Sequence, residues 1–307
     1  MIRLIDADEL RRVLPMAAAI DALEAAFRDE DPSRSAPLRS SVATPAGTLL
    51  LMPAAGERGV GVKLVTLTEF NPQRGLPFIH GAYVLFDRET QRPEAMIDGT
   101  ELTAIRTAAL SGLATRNLAR VDARRLVIFG AGVQAAAHLE AMVAVVPLEE
   151  VVIVSRTLDP ALALVERARG MGMQASVGEP SGVAQADLVC TCTTSGVSLF
   201  DGRLLAEGAH VNAVGSYLPD QRELDTETVR RAKVVVETRE VALAEAGDLL
   251  IPIAEGTIGP EHIVADLAEV VRGSVVRTAD NDVTVFESVG MAFEDLVVAR
   301  AALDAGS

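Results

Sequence analysis

The 307-residue chain has room for about two domains of ordinary size, and with 49% apolar and 23% charged residues it can bury a sizeable core. A formal net charge of −15 excludes a surface built to meet nucleic-acid phosphates, and no basic run offsets it. The opening MIRLIDADEL carries acids where a secretory leader would be apolar, and no uncharged apolar run reaches the ~18 residues of a membrane span, so a cytoplasmic protein without a membrane segment is expected.

In chain order, a helical pair comes first. Asp6 or Asp8 can cap a short helix, and Pro15 stands where a second can begin, with Ile20, Leu23, Ala26 and Phe27 at helical spacing. DEDPSRSAP (29–37) has the composition of a loop. The runs LRSSVAT, GTLLLMPA, VGVKLVTLTEF, GAYVLFD and PEAMID follow, separated by short turns, which predicts a mostly antiparallel sheet. From Gly99 to Leu118 the period becomes helical.

After Val121 apolar runs alternate with helical stretches: RRLVIFG, EEVVIVS, MQASV, ADLVCTC, HVNAVG, AKVVVET and a late VTVFESVG. That alternation predicts a parallel sheet covered on both faces. A last amphipathic helix, MAFEDLVVARAAL, is placed to return to the first domain. Cys190 and Cys192, one residue apart on one strand face, read as buried thiols, and the four histidines show no metal-ligand spacing, so no metal is expected.

Chemistry concentrates first in LVIFGAGVQAAAHL (126–139). Gly130-x-Gly132-x-x-Ala135 follows an apolar strand and opens a helix, the context in which this spacing signals dinucleotide binding. Gly130 permits the tight turn, Gly132 lets a pyrophosphate approach the backbone, and Ala135 lets the helix lie close to the strand. The helix N-terminus offers N–H groups to the phosphates, so an acidic protein can hold an anionic cofactor. Gly130, Ala131, Gly132, Val133 and Gln134 are the loop candidates, with Thr107, Thr193 and Val214 added to the cofactor set. The next strand ends in Ser155-Arg156-Thr157 without the acid that binds a ribose 2′-hydroxyl in NAD sites. Arg156 there suits a 2′-phosphate, which favours NADP(H) with NAD(H) possible; the alternative makes Arg156 a solvated loop residue.

In the first half, Lys63, Arg39 and Arg106 interrupt apolar or structured surroundings. A buried cation needs a counter-charge or a ligand. The set predicts either a pocket for a carboxylate or three internal salt bridges.

Six segments in order, GVKLVTLTEFN (61–71), MIDGTELTAIRTAALSGLAT (96–115), FGAGVQA (129–135), VGSYLPDQRELD (214–225), EAGDLL (245–250) and TVFESVGMAFEDL (284–296), resemble the ornithine cyclodeaminase/μ-crystallin family over nearly the whole chain. The resemblance implies an α/β fold: a Rossmann doubly wound parallel sheet over 119–289, plus an α+β substrate-binding and dimerisation domain over 1–118 completed by a C-terminal helix at 290–307. It implies a homodimer, and it sets Arg39, Lys63 and Arg106 around the carboxylate and imine of a small imino or amino acid. His80, in GLPFIHGAYV, is assigned near that pocket or else as a packed, hydrogen-bonded histidine.

The family's cyclodeaminases resemble one another in an aspartate after the glycine of the segment reading VGSYLP here. This chain has Ser216 and Tyr217, with Asp220 and Glu223 as weak substitutes. The expectation is therefore an NAD(P)H-dependent oxidoreductase acting on C=N, similar to the Δ1-pyrroline-2-carboxylate and Δ1-piperideine-2-carboxylate ketimine reductases. The alternatives are ornithine cyclodeaminase, an alanine or other amino-acid dehydrogenase, and a non-catalytic NADPH-binding protein.

Overall fold

The computed structural model describes residues 2–306, so residues 1 and 307, the outer ends of the expected first domain, lie outside the described residues. Two compact units divide the chain, one running to Thr107 and resuming at Met291, the other Ala108–Gly290. The division falls inside a helix, whereas the sequence reading closes the first domain after residue 118. A single helix that continues from one unit into the next carries no turn signal at the boundary, which is why composition places the boundary at the helix end.

The first unit begins with β1 (Arg3–Ile5), α1 (Ala7–Val13), α2 (Met16–Asp29) and α3 (Pro32–Ser35). Asp6 caps α1 by accepting the Glu9 N–H at 2.8 Å. The segment expected as loop contains one helical turn, α3, where the Asp31 carboxylate accepts the Ser33 N–H at 3.1 Å. Strands β2 (Ser40–Thr44), β3 (Gly47–Gly56), β4 (Gly59–Leu67), β5 (Ile79–Phe86) and β6 (Pro93–Asp98) follow. They form a six-stranded sheet in the order β1-β6-β5-β4-β3-β2, antiparallel except for the β1–β6 pair. Three-residue β1 is too short to show a period, so it has no sequence signal.

Helix α4 (Gly99–Leu118) spans the division, and the second unit continues with β7 (Arg125–Phe129), α5 (Val133–Val145), β8 (Glu150–Val154), α6 (Leu158–Gly170), β9 (Gln174–Val177), β10 (Leu188–Thr191) and β11 (His210–Ala213). It closes with α7 (Thr226–Arg231), β12 (Ala232–Val236), α8 (Arg239–Glu245), α9 (Gly247–Ala254), β13 (Ile263–Asp266), α10 (Leu267–Val271) and β14 (Val283–Glu287). Its eight strands are all parallel, in the order β13-β12-β14-β11-β10-β7-β8-β9. The strands run outward both ways from β7 and β10, which makes this a doubly wound Rossmann sheet. β13 is unexpected: IVAD merges into the following apolar helix, and four residues are too few to show a period in the sequence.

Helix α11 (Ala292–Ala305) returns to the first unit between α2 and the inner sheet face. It is buried almost all round rather than along one stripe, and Phe293 meets Phe27 of α2 edge to face at 5.4 Å. Its first-turn acids Glu294 and Asp295 are therefore removed from water, which sets up the site below. Cys190 lies buried in β10, but Cys192 falls beyond the strand end and is half-buried; neither is in a disulfide. No helix among the described residues is long and apolar enough to cross a membrane.

Candidate functional site

Alternation along β4 turns Gly61, Lys63 and Val65 to the inner face of the first sheet, against α11. The Lys63 ammonium lies 2.9 and 2.8 Å from the two Asp295 carboxylate oxygens, and only 1% of Lys63 is exposed. On α4, Arg106 donates to Glu294 Oε2 at 2.6 Å and places Nε 3.3 Å from Asp295 Oδ1. Asp295 thus stands between the two cations. The internal-salt-bridge alternative is what the structure shows for Lys63 and Arg106, and α11 supplies the counter-charges. Glu294 and Asp295 are adjacent acids beside the apolar run of this helix, a visible signal. What pairs them with Arg106 and Lys63, 188 and 232 residues away, is tertiary.

The Lys63 pKa falls from its ordinary 10.5 to about 8. Burial is the main cause, Arg106 adds to it, and Asp295 opposes both. Tyr83, opposite Lys63 on β5, packs its hydroxyl where a Cβ on Gly61 would stand, so that glycine is required by close approach. Burial, with Asp295 nearby, pushes the Tyr83 phenol well up.

His80 is not brought to this cluster. Tyr83 and Leu85 point inward from β5, so His80 belongs to the outer face with its neighbour Thr66 and is exposed, neither packed nor beside Lys63. Arg39 lies half-buried immediately before β2. Thr107, next to Arg106, has a buried hydroxyl without a hydrogen-bond partner.

In the second unit, the buried run Leu126–Phe129 ends at Gly130, whose φ is +104° and where a Cβ would stand 2.5 Å from the Cys192 carbonyl oxygen. Both facts demand glycine. Gly132 is the N-cap of α5, no side chain caps that helix, and a Cβ on Gly132 would meet nothing within 4 Å. Ala135 is fully buried. Ala131 and Gln134 are half-buried and Val133 exposed around the same turn. An open approach to uncapped N–H groups at a helix N-terminus fits the phosphates of a dinucleotide.

At the tip of β8, Ser155 is half-buried while Arg156 and Thr157 are exposed; the Thr157 N–H donates to Ser155 Oγ at 3.3 Å, and an acid follows only at Asp159. Val214, just past β11, donates its N–H to Thr191 O at 3.2 Å. Thr193, just past β10, donates its N–H and its hydroxyl to Glu223. Glu223, expected as a weak candidate that could point away, is buried and turned back to Gly215, whereas Asp220 is exposed. Ser216, the residue after Gly215, is buried and donates its hydroxyl to Gln221 O at 2.7 Å; the carboxylate that reaches Gly215 is that of Glu223, held by the Gly215 N–H at 2.9 Å.

Further buried carboxyls stand at the ends of neighbouring strands. Glu237, after β12, accepts from Ser288 Oγ at 2.6 Å and from the Gly290 N–H at 3.0 Å. Glu287, the last residue of β14, has no hydrogen-bond partner for either oxygen. Burial, reinforced by Asp248, Glu223 and Glu237, pushes its carboxyl well above the usual range.

The doubly wound sheet with a glycine loop opening α5 defines a Rossmann-type dinucleotide-binding protein. The model of the ornithine cyclodeaminase/mu-crystallin family matches residues 4–305, and the chain belongs to that family. It is 36% identical to a Δ1-pyrroline-2-carboxylate reductase of Bacillus cereus, over 96% of this chain and 94% of that one. Among solved structures it is similar to Δ1-pyrroline-2-carboxylate reductase of Thermococcus litoralis in complex with NADH and L-proline, with a TM-score of 0.95, 35% identity, and 99% and 97% of the two chains covered. It is also similar to an archaeal alanine dehydrogenase dimer with bound NAD, with a TM-score of 0.93, 30% identity, and 99% and 96% covered.

Proposed function

We propose that this protein is a nicotinamide-dinucleotide-dependent reductase of cyclic imino acids, Δ1-pyrroline-2-carboxylate and its six-membered homologue being the first candidates. The observation that carries the reading is the buried pair Lys63 and Arg106 held around Asp295, in a chain whose other unit carries an uncapped glycine-loop helix. The likeness to the B. cereus and T. litoralis reductases supports it.

In this reading, Arg106 holds the substrate carboxylate, for which a planar guanidinium fork is matched, and Arg39 assists. Positioning of this kind contributes up to about 7–11 kcal/mol in ideal cases. When bound, the reduced nicotinamide supplies the hydride that the C=N carbon accepts. Lys63, with a pKa near 8, exchanges protons readily close to neutral pH and gives the imine nitrogen its proton, leaving an amino acid. Glu294 and Asp295 keep both cations oriented inside the fold. Gly130 to Gln134 hold the phosphates, with Thr107, Thr193 and Val214 assigned to the same cofactor. Arg156, at a strand tip with no acid beside it, favours a 2′-phosphate and hence NADPH, with NADH also accepted.

The assembly that fits is a homodimer. The outer face of the first sheet carries a cross-strand row of Leu4, Met96, Val84, Val62 and Pro53, with Leu4 71% and Met96 44% exposed. An apolar sheet face of this kind is stabilised by a second copy packing on it.

The deciding assay follows oxidation of NADPH and NADH with the five- and six-membered cyclic imines, beside pyruvate with ammonia, and tests ornithine for ammonia release. Turnover of a cyclic imine is expected. Turnover of pyruvate and ammonia alone would make it an amino-acid dehydrogenase, and ammonia release from ornithine would restore the cyclodeaminase.

A further inference from the structure

Beyond Val214, two of the segments that carry the family likeness, VGSYLPDQRELD and EAGDLL, have no role in the reaction described above, yet their buried carboxylates are held by a series of hydrogen bonds. The Glu223 carboxylate lies between two strand exits. Oε1 accepts the Thr193 N–H at 2.8 Å and the Thr193 hydroxyl, while Oε2 accepts the Gly215 N–H at 2.9 Å. A Cβ on Gly215 would stand 2.3 Å from Glu223 Oε2 and 2.4 Å from the Thr193 carbonyl oxygen, so only glycine lets the three groups meet. Glu223 is itself anchored: its backbone N–H and that of Leu224 donate to Asp248 Oδ1 at 2.9 and 2.6 Å. Asp248 reaches them because Gly247 has no side chain, as a Cβ there would lie 1.9 Å from the Gln221 carbonyl oxygen.

The other end of this chain of contacts is the glycine loop. The Cys192 N–H donates to Phe129 O at 2.8 Å, and the Cys192 carbonyl presses on Gly130. Thr193 is the next residue. Open α/β sheets take their ligands outside the carboxyl ends of the strands, where strand order reverses. Here that point lies between β7, which leads to Gly130, and β10, which leads to Thr193.

We propose that Glu223 is a positioning residue for the dinucleotide: by tying Thr193 to Gly215 and receiving its own place from Asp248, it holds the exit of β10 against Gly130 and so sets the phosphate loop. The inference rests on the cofactor part of the function proposed above but not on the imine. Burial raises the Glu223 carboxyl pKa while the donors it accepts lower it, which suits a group kept as an acceptor for both segments. Glu223→Gln keeps the volume but presents one oxygen and one NH2, so one of the two segments is left facing a donor.

The test is direct titration of the whole protein with NADH and with NADPH, read by the nucleotide's own fluorescence or by calorimetry, with the unfolding midpoint recorded for each variant. Glu223→Gln is expected to raise the dissociation constant for both nucleotides about tenfold or more. It should raise the nucleotide KM to match and leave kcat at saturation within about twofold, because it touches neither reacting partner. Asp248→Ala, one contact further back, is expected to act in the same direction, and the double variant to fall short of the product of the single effects, since both loosen one tie. Should Glu223→Gln fail to fold, Asp248→Ala decides. Parental affinity in the variants, or affinity lost only in step with the unfolding midpoint, would overturn the proposal. A parent that binds NADH but reduces no cyclic imine would overturn the substrate assignment and leave this test intact; one that reduces imines while the variants bind normally would do the reverse.

Discussion

At the scale of residues, Lys63 joins the fold to the proposed chemistry. A lysine of ordinary pKa 10.5 would hold its proton throughout the working range, whereas one near 8 exchanges it. Imine reduction needs the protonated form, so kcat/KM is expected to fall as pH rises above about 8. Lys63→Arg should remove that fall from the pH–rate profile while lowering the plateau; an unchanged profile would exclude Lys63 as the group that titrates. Arg156 is the residue that speaks to nucleotide choice. Arg156→Ala should raise the KM for NADPH about tenfold, the scale of one charge-assisted pair, and leave that for NADH nearly unchanged. Equal changes for both nucleotides in a steady-state comparison would show that no 2′-phosphate is read there.

At the scale of elements, α11 decides the character of the first unit. Its amphipathic sequence predicts one buried stripe, but α2 on one side and the sheet on the other enclose it. Glu294 and Asp295 can be carried inside because Lys63 and Arg106 meet them there. Breaking a buried pair leaves an uncompensated charge and typically costs about 3–5 kcal/mol. Asp295→Ala takes the hydrogen-bonded partner from buried Lys63 and leaves Arg106 with Glu294 alone, so denaturant unfolding should show a loss in that range, and Asp295→Asn a smaller one. The same variants should move the pH–rate fall of Lys63 to lower pH, since Asp295 is the group that raises its pKa. A stability loss below about 1 kcal/mol, the scale of an exposed pair, would mean that the network is open to water.

At the scale of the whole molecule, buried carboxyls tie stability to pH. Burial raises Asp248 from 3.8 to about 7, and Glu287 and Glu223 are raised as well. A carboxyl whose folded pKa lies above its unfolded value binds more protons in the folded state. Its contribution is therefore fully present below about pH 4 and is lost as pH rises through the folded pKa. Thermal stability should fall between about pH 5 and 8, and Glu287→Gln, which removes the carboxyl without hydrogen-bond partners, should flatten that slope and raise the midpoint at about pH 8. A slope as steep as the parent's in thermal scans would assign the dependence to other groups. The outer sheet face belongs to this scale too: Val84→Asp, in the middle of the apolar row, should convert a dimer to a monomer in light scattering, and a variant of unchanged mass would place the interface elsewhere.

The glycine loop, the alternating strands and helices of the second unit, and the antiparallel run of the first are legible from the amino-acid order because each rests on neighbours within a few residues: a turn that only glycine makes, a period of two, a period near 3.6. The inward face of Lys63 is legible for the same reason, since alternation along one strand is local. The ends and short pieces are not, because β1, β13 and α3 are too brief to show a period and are held by pairing or a cap. Contacts across the chain decide the rest. The sequence shows that Lys63 and Arg106 need counter-charges; only the return of α11 shows that Glu294 and Asp295 provide them. His80 reads as a site residue from its surroundings in the chain, yet strand register turns it to the far face of the sheet. Glu223 sits eight residues after Gly215, and only the closed loop over Asp248 brings its carboxylate back to it. Local order specifies which elements form, whereas burial, and with it the pairing of Lys63 and Arg106 with Glu294 and Asp295, depends on which elements meet.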